Sequence, residues 1–150
     1  EQYFEHAEYA GGWQTGTQPV LSMAPLEGSL EMIKEAGLEN LRKKSLDITE
    51  YLMYLIDSRL SKYGFSVGNY REDSKRTGHV ALVHEDAIRI NAAMKARNII
   101  PDFRFPDVIR LAPVPLYISY TEVYDMVDII VDIMEKKEYE NFANKRGTVA

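Results

Sequence analysis

The chain has 150 residues, 45% of them hydrophobic and 27% charged, enough for one globular domain with a buried core. Eighteen basic against 23 acidic side chains leave a formal charge of −5, which argues against a nucleic-acid-binding face or an anionic-membrane surface. No cysteine is present, which excludes disulfides, thiolate zinc sites and cysteine nucleophiles, and fits a reducing cytoplasm.

Residues 1–21 are aromatic and glycine-rich without a sustained period, and read as an arm. The start lacks methionine and the basic-then-apolar order of a signal peptide, so a processed chain or a piece of a longer one is expected. "GGWQTGTQPV" is a strong loop signal.

Leu26, Leu30 and Ile33 recur at helical spacing and predict a helix over Ser22 to Ala36, with Pro25 in its first turn and Gly37 as its stop. A longer helix is expected from Glu39 to Lys62, its apolar face carrying Leu41, Ile48, Leu52, Leu55 and Tyr63, closed by Gly64. "GFSVGN" (64–69) reads as a short strand, "YREDSKRTG" (70–78) as a polar loop and "HVALVH" (79–84) as a central strand. Residues 85–98 form a third predicted helix, ended by Asn98. "IIPDFRF" and "VIRLA" are extended, with "PD" (106–107) as the turn between them; Pro101 predicts an edge strand for the first. "SYTE" (119–122) has the form of a capping box and opens a helix from about Thr121 to Lys137. The end of the chain reads as a polar tail. This order predicts an α+β fold, a small, largely antiparallel sheet covered by helices.

Motifs that carry chemistry are few. The three histidines, His6, His79 and His84, form no metal-ligand pair; His79 and His84 bracket an apolar strand and read as strand ends near the surface. No phosphate-binding loop, nucleophile elbow or dinucleotide fingerprint is present. "GTQP" (16–19) places a backbone N–H beside a hydroxyl, a pairing that can suit a phosphate oxygen, although taken alone it reads first as an ordinary turn before a helix. In "IRLAPVPLY", Arg110 stands in an apolar run. A permanent charge there must pair or face a cavity. An ion pair with Asp102 or Asp107 and a bidentate grip on a ligand carboxylate are equally good readings of its spacing. Arg104, nearer the hairpin turn, is expected in solvent. Pro113 and Pro115 each fix φ and should stiffen the chain just beyond Arg110.

"GTQPVLSMAPLEGSLEMIKEAGLENLRKKSLDITEYLMYLID" (16–57) and "IIPDFRFPDVIRLAPVPLYISYTEVYDMV" (99–127), with "RTGHVALVH" (76–84) between them, resemble the C-terminal third of kynureninases of the bacterial type. These are fold-type-I enzymes dependent on pyridoxal 5'-phosphate (PLP). The resemblance implies a homodimeric, cytoplasmic hydrolase of tryptophan catabolism that converts L-kynurenine to anthranilate and L-alanine. It implies that residues 22–150 are the C-terminal small domain, partnered by a large PLP-binding domain, and that residues 1–21 belong to the large-domain side and the dimer interface.

By the same resemblance, Arg110 binds the substrate α-carboxylate and Gly16 lies beside the substrate's aromatic ring. Thr17 reaches the PLP phosphate region of the neighbouring subunit. The Gly-Thr pair resembles the form that favours unsubstituted over 3-hydroxylated kynurenine. The Schiff-base lysine of the family belongs to the large domain, and none of the nine lysines here sits in a matching context. The chain alone is therefore expected to be inactive and not to hold PLP by itself. Two other readings remain: a free-standing α+β interaction or ligand-binding module, and the small domain of another fold-type-I enzyme, an aminotransferase or a desulfurase.

Overall fold

A computed structural model describes residues 3, 5–14 and 16–145. Its internal contacts divide the chain into two units, Glu1–Leu38 and Glu39–Ala150.

The first unit holds a short 3-10 turn, Tyr9–Trp13, and helix α1, Val20–Ala36. The Pro19 carbonyl accepts from the N–H groups of Ser22 and Met23 at 2.9 and 3.0 Å, so α1 starts earlier than the apolar spacing implies. Pro25 therefore sits inside the helix rather than in its first turn. The stop is as expected, with the Gly37 N–H donating to the Ile33 carbonyl at 2.9 Å and Gly37 at φ 79°. No residue of α1 is buried.

The second unit is built on helix α2, Leu38–Leu55. It runs on through a π turn, Ile56–Leu60, and a 3-10 turn, Ser61–Tyr63. Gly64, at φ 91°, ends this run in the left-handed region that glycine enters without a Cβ penalty. Four strands follow, β1 (Ser66–Val67), β2 (Val80–Val83), β3 (Asp102–Arg104) and β4 (Val108–Leu111). They pair antiparallel throughout in the order β1-β2-β4-β3, which puts β3 at an edge, as Pro101 predicts. Helix α3, Ala87–Ala96, connects β2 to β3, and helix α4, Tyr120–Glu135, follows β4. Asn98, at φ 63°, turns the chain out of α3.

The period-two alternation of the strands divides the sheet into two faces. Val80 and Leu82 of β2 lie opposite Leu111 and Ile109 of β4; all four are buried and join Ile48, Leu52, Ile56, Ile90, Met94, Val127 and Ile130 in one core. Helices α2, α3 and α4 thus cover one face. Ala81, Arg110 and Asp102 form a row across the other.

Helix α4 begins with the expected capping box. The Ser119 hydroxyl oxygen accepts from the Glu122 N–H at 3.2 Å, and Glu122 accepts from the Ser119 N–H at 2.8 Å. The bonds that the Ser119 N–H and hydroxyl donate to Glu122 Oε2 hold the Glu122 carboxyl below its ordinary value.

The end of the chain departs from the expected polar tail. A turn at Glu138–Asn141 brings Tyr139 and Phe142 against the core. Arg97 anchors it, donating from Nε to Glu138 Oε2 at 3.0 Å, from Nη2 to Glu138 Oε1 at 2.8 Å, and to Asp132 at 2.5 Å. Residues 146–150 lie outside the described residues. The bonds from Arg97 lower the Glu138 carboxyl, and Lys136, then Arg97, lower Asp132. A depressed folded-state pKa means that this stabilisation is complete above the unfolded value and is lost as pH falls through the folded one. We therefore expect an NMR titration of Glu138 to have its midpoint below the ordinary 4.5, with the Tyr139 and Phe142 signals moving in the same step. Arg97→Ala should return Glu138 to the ordinary value. A Glu138 midpoint already at or above 4.5 in the unaltered chain contradicts the anchoring role.

Candidate functional site

The second unit carries a groove of about 410 Å³, within the size of a small-molecule pocket. It lies where the start of β3 meets the end of β4, with Ile99, Ile100, Pro101, Leu111 and Pro113 on the sheet side and Leu52, Ile118, Val123 and Met126 on the helix side. Apolar walls of this kind suit an apolar part of a small ligand. Its charged groups are Arg110, Asp102 and Glu122, of which Glu122 is committed to the cap of α4 through Ser119.

Arg110 is on β4 between Ile109 and Leu111, which both face the core. Alternation turns Arg110 to the other face, where its side chain keeps 39% of its exposure. The charge in the apolar run is thus not buried. Register places Asp102 directly across from it, and an Arg110 Nη2 ion pair to Asp102 Oδ2 closes the contact. Of the two partners compatible with the sequence, Asp102 is the one that pairs; Asp107 instead accepts, through its carbonyl, the N–H of His84 at 3.0 Å. The ion-pair and ligand readings are not exclusive, because one Nη2 contact leaves most of the guanidinium's five donors and Arg110 still lines the groove. Arg104 is 60% exposed at its side chain, as its place near the turn implies, and reaches Asp102 through Nε at 2.9 Å.

The segment after Arg110 is braced. Pro113 is buried, the Ile118 N–H donates to the Val114 carbonyl at 2.9 Å, and Lys44 Nζ of α2 donates to the Pro115 carbonyl at 2.6 Å. The two prolines therefore act with a tie from another helix.

Gly16 and Thr17 belong to the first unit and Arg110 to the second. Gly16 and Thr17 are exposed and lie outside regular structure ahead of α1. The Gly16 carbonyl accepts from Gln14 Nε2 at 2.9 Å, and a Cβ on Gly16 would meet nothing within 4 Å.

His84 differs from the surface position its sequence implies. It is 7% exposed, its Nε2 donates to the Tyr63 carbonyl at 3.0 Å and its Nδ1 accepts from the Asp86 N–H at 2.9 Å. Both ring nitrogens are thereby used in holding the end of β2 to the end of the α2 run. His79 is half-buried beside Thr77. Among the described residues no group of three or more histidine, cysteine or acidic side chains is arranged to hold a metal ion, and no helix is long and apolar enough to cross a membrane.

Residues 41–130 match the family model for the kynureninase C-terminal domain. The chain is 50% identical over all its 150 residues to the kynureninase of Geobacillus thermodenitrificans (strain NG80-2), of which it covers 35%. It is 54% identical over 144 residues (96% of the chain) to that of Bacillus mycoides (strain KBAB4), covering 34% of that protein. It is 47% identical over 144 residues (again 96% of the chain) to that of Shouchella clausii (strain KSM-K16), of which it also covers 34%. The chain therefore spans about a third of the length of the curated relatives it matches.

Proposed function

The chain belongs to the kynureninase family, by its C-terminal domain, and from that premise we propose that it supplies the carboxylate-binding half of the substrate site in an enzyme that hydrolyses L-kynurenine to anthranilate and L-alanine. In that reaction the bond between Cβ and the side-chain carbonyl carbon breaks. Water's hydroxyl completes the anthranilate carboxyl, and a proton completes the alanine methyl.

The observation that carries this reading is Arg110, a residue that lines an apolar groove and whose guanidinium is paired with Asp102. A bidentate arginine–carboxylate contact fixes both position and orientation. In this reading Arg110 takes the α-carboxylate, Gly16 leaves room beside the aromatic ring, and Thr17 offers its hydroxyl to the phosphate of a cofactor held by a neighbouring subunit. The Gly16–Thr17 pair favours the unsubstituted ring over the 3-hydroxylated one. The working enzyme is read as a cytoplasmic homodimer in which a large domain joins this chain.

PLP is the cofactor that this activity implies. The residues described here do not make a site for it alone: eight of the nine lysines are exposed and the ninth, Lys44, is half-buried and spent on the Pro115 carbonyl. None is set in the enclosed, low-polarity surroundings that make a lysine amine nucleophilic, so no covalent step is assigned to this chain.

The test is a chimera in which these 150 residues replace the matching part of the Geobacillus relative. The folded, PLP-loaded chimera is expected to release fluorescent anthranilate from L-kynurenine, and the 150-residue chain alone to release none. A loaded chimera without turnover would overturn the proposal.

A further inference from the structure

Arg110 does not stand free at the groove. Asp102 is its register partner across β3 and β4, where directly opposed side chains start about 5 Å apart, and the ion pair joins Arg110 Nη2 to Asp102 Oδ2. The same Oδ2 accepts from Arg104 Nε at 2.9 Å and pairs with Arg104 Nη2 at 2.8 Å. Asp102 is thus held from its own strand and from the neighbouring one. Glu122, the other carboxylate of the groove, is turned to Ser119. An arginine side chain that is half exposed samples many rotamers unless something holds it. Here the holder is built into the strand register.

We propose that Asp102 is a positioning residue for the carboxylate clamp: it fixes the Arg110 guanidinium at one Nη2 so that the remaining donors are presented to a ligand carboxylate in the groove. This rests on the carboxylate role of Arg110 proposed above. In this role Asp102 acts on Arg110 and not on the substrate or cofactor. It acts by removing the ordering cost that binding would otherwise impose on Arg110, and Arg104 supports it from the outside of the sheet.

Two measurements test this. In the 150-residue chain, the NMR order parameter of the Arg110 Nε–H bond should be close to that of rigid backbone, about 0.8, and should fall below about 0.6 in Asp102→Asn, while the backbone amides of β4 are unchanged. An order parameter that does not fall overturns the proposal.

In the chimera, Asp102→Asn should raise KM for L-kynurenine about 5- to 10-fold with kcat within about 2-fold, since the lost contact serves ground state and transition state alike. Asp102→Glu, which keeps the charge on a longer arm, should lie between. In an Arg110→Ala background Asp102→Asn should change KM by less than about 2-fold, because the two residues act as one unit. A KM that falls in Asp102→Asn marks Asp102 as a rival of the substrate carboxylate, and an effect that persists in full without Arg110 marks it as acting elsewhere; either result overturns the proposal. If Arg110→Ala alone leaves KM unchanged, the carboxylate reading of Arg110 has failed instead. If Arg110→Ala raises KM and Asp102→Asn does not, only the positioning role has failed.

Discussion

Arg110→Ala is expected to raise KM for L-kynurenine in the chimera by roughly 30- to 150-fold. A hydrogen bond to a charged partner contributes about 1.5–3 kcal/mol, and a bidentate contact loses both of its bonds when the guanidinium goes. Part of that loss is recovered as water solvates the freed carboxylate, so a net of about 2–3 kcal/mol is used here, at about 1.4 kcal/mol per tenfold. The carboxylate is remote from the bond that breaks, so kcat should stay within about 5-fold. Arg110→Lys should recover only part of the affinity, because an ammonium lacks the planar fork. Folding should hardly respond: the Arg110 and Asp102 side chains are 39% and 44% exposed, and pairs of that kind contribute about 0–1 kcal/mol. An unchanged KM, measured on protein with unchanged thermal stability, removes Arg110 from the substrate site.

Arg76→Ala should have the opposite profile, a large loss of stability with no direct part in substrate binding. Arg76 lies in the segment that reads as a polar loop, yet its side chain is only 3% exposed. Nη1 donates to the Arg71 carbonyl at 3.2 Å, and Nη2 donates to the Leu46 carbonyl of α2 at 3.3 Å and to Asp73 Oδ1 at 2.7 Å. Its own carbonyl accepts from Arg42 Nη1 at 3.0 Å. The loop is therefore bolted to α2 by two arginines. Removing three side-chain bonds of about 1 kcal/mol each, and leaving a void where the guanidinium packed, should cost about 2–3 kcal/mol. Asp73 is 68% exposed, so the anion left behind is solvated and the cost stays below that of breaking a fully buried pair. Urea unfolding should show the lower midpoint with an unchanged slope. Arg76→Lys should not restore it, since one ammonium cannot reach all three acceptors. A midpoint within experimental error of the unaltered chain would mean that the loop is held by other contacts.

The legible parts of this protein were those whose causes lie within a few residues of each other. Ser119 and Glu122 are three apart and cap α4 by themselves. Gly64 and Asn98 end helical runs because their own φ values need little help from the rest of the fold. The spacing of Ile48, Leu52 and Leu55 marked the buried face of α2, and Pro101 marked an edge strand, because each is a property of one element. Pro25 lies inside α1 and not in its first turn for an equally local reason: the Pro19 carbonyl starts the helix before the apolar stripe begins. The family resemblance was equally legible, since it rests on the order and spacing of residues in the two long segments around Thr17 and Arg110.

What the sequence determined by itself was therefore the α+β class, the helical stops at Gly37, Gly64 and Asn98, the Ser119 cap, the edge strand and the anomaly of a charge at Arg110. Only the tertiary structure decided what Arg110 does with its charge, because that depends on strand register. Pairing Asp102 with Arg110 turns both side chains to one face, and a shift of one residue would have sent them to opposite faces. Burial of Arg76 and His84, and docking of Tyr139 and Phe142 on the core, likewise depend on acceptors and surfaces supplied by distant segments. No local pattern carries them, because a hydrogen bond or an apolar contact is the same whether its partner is three residues away or forty.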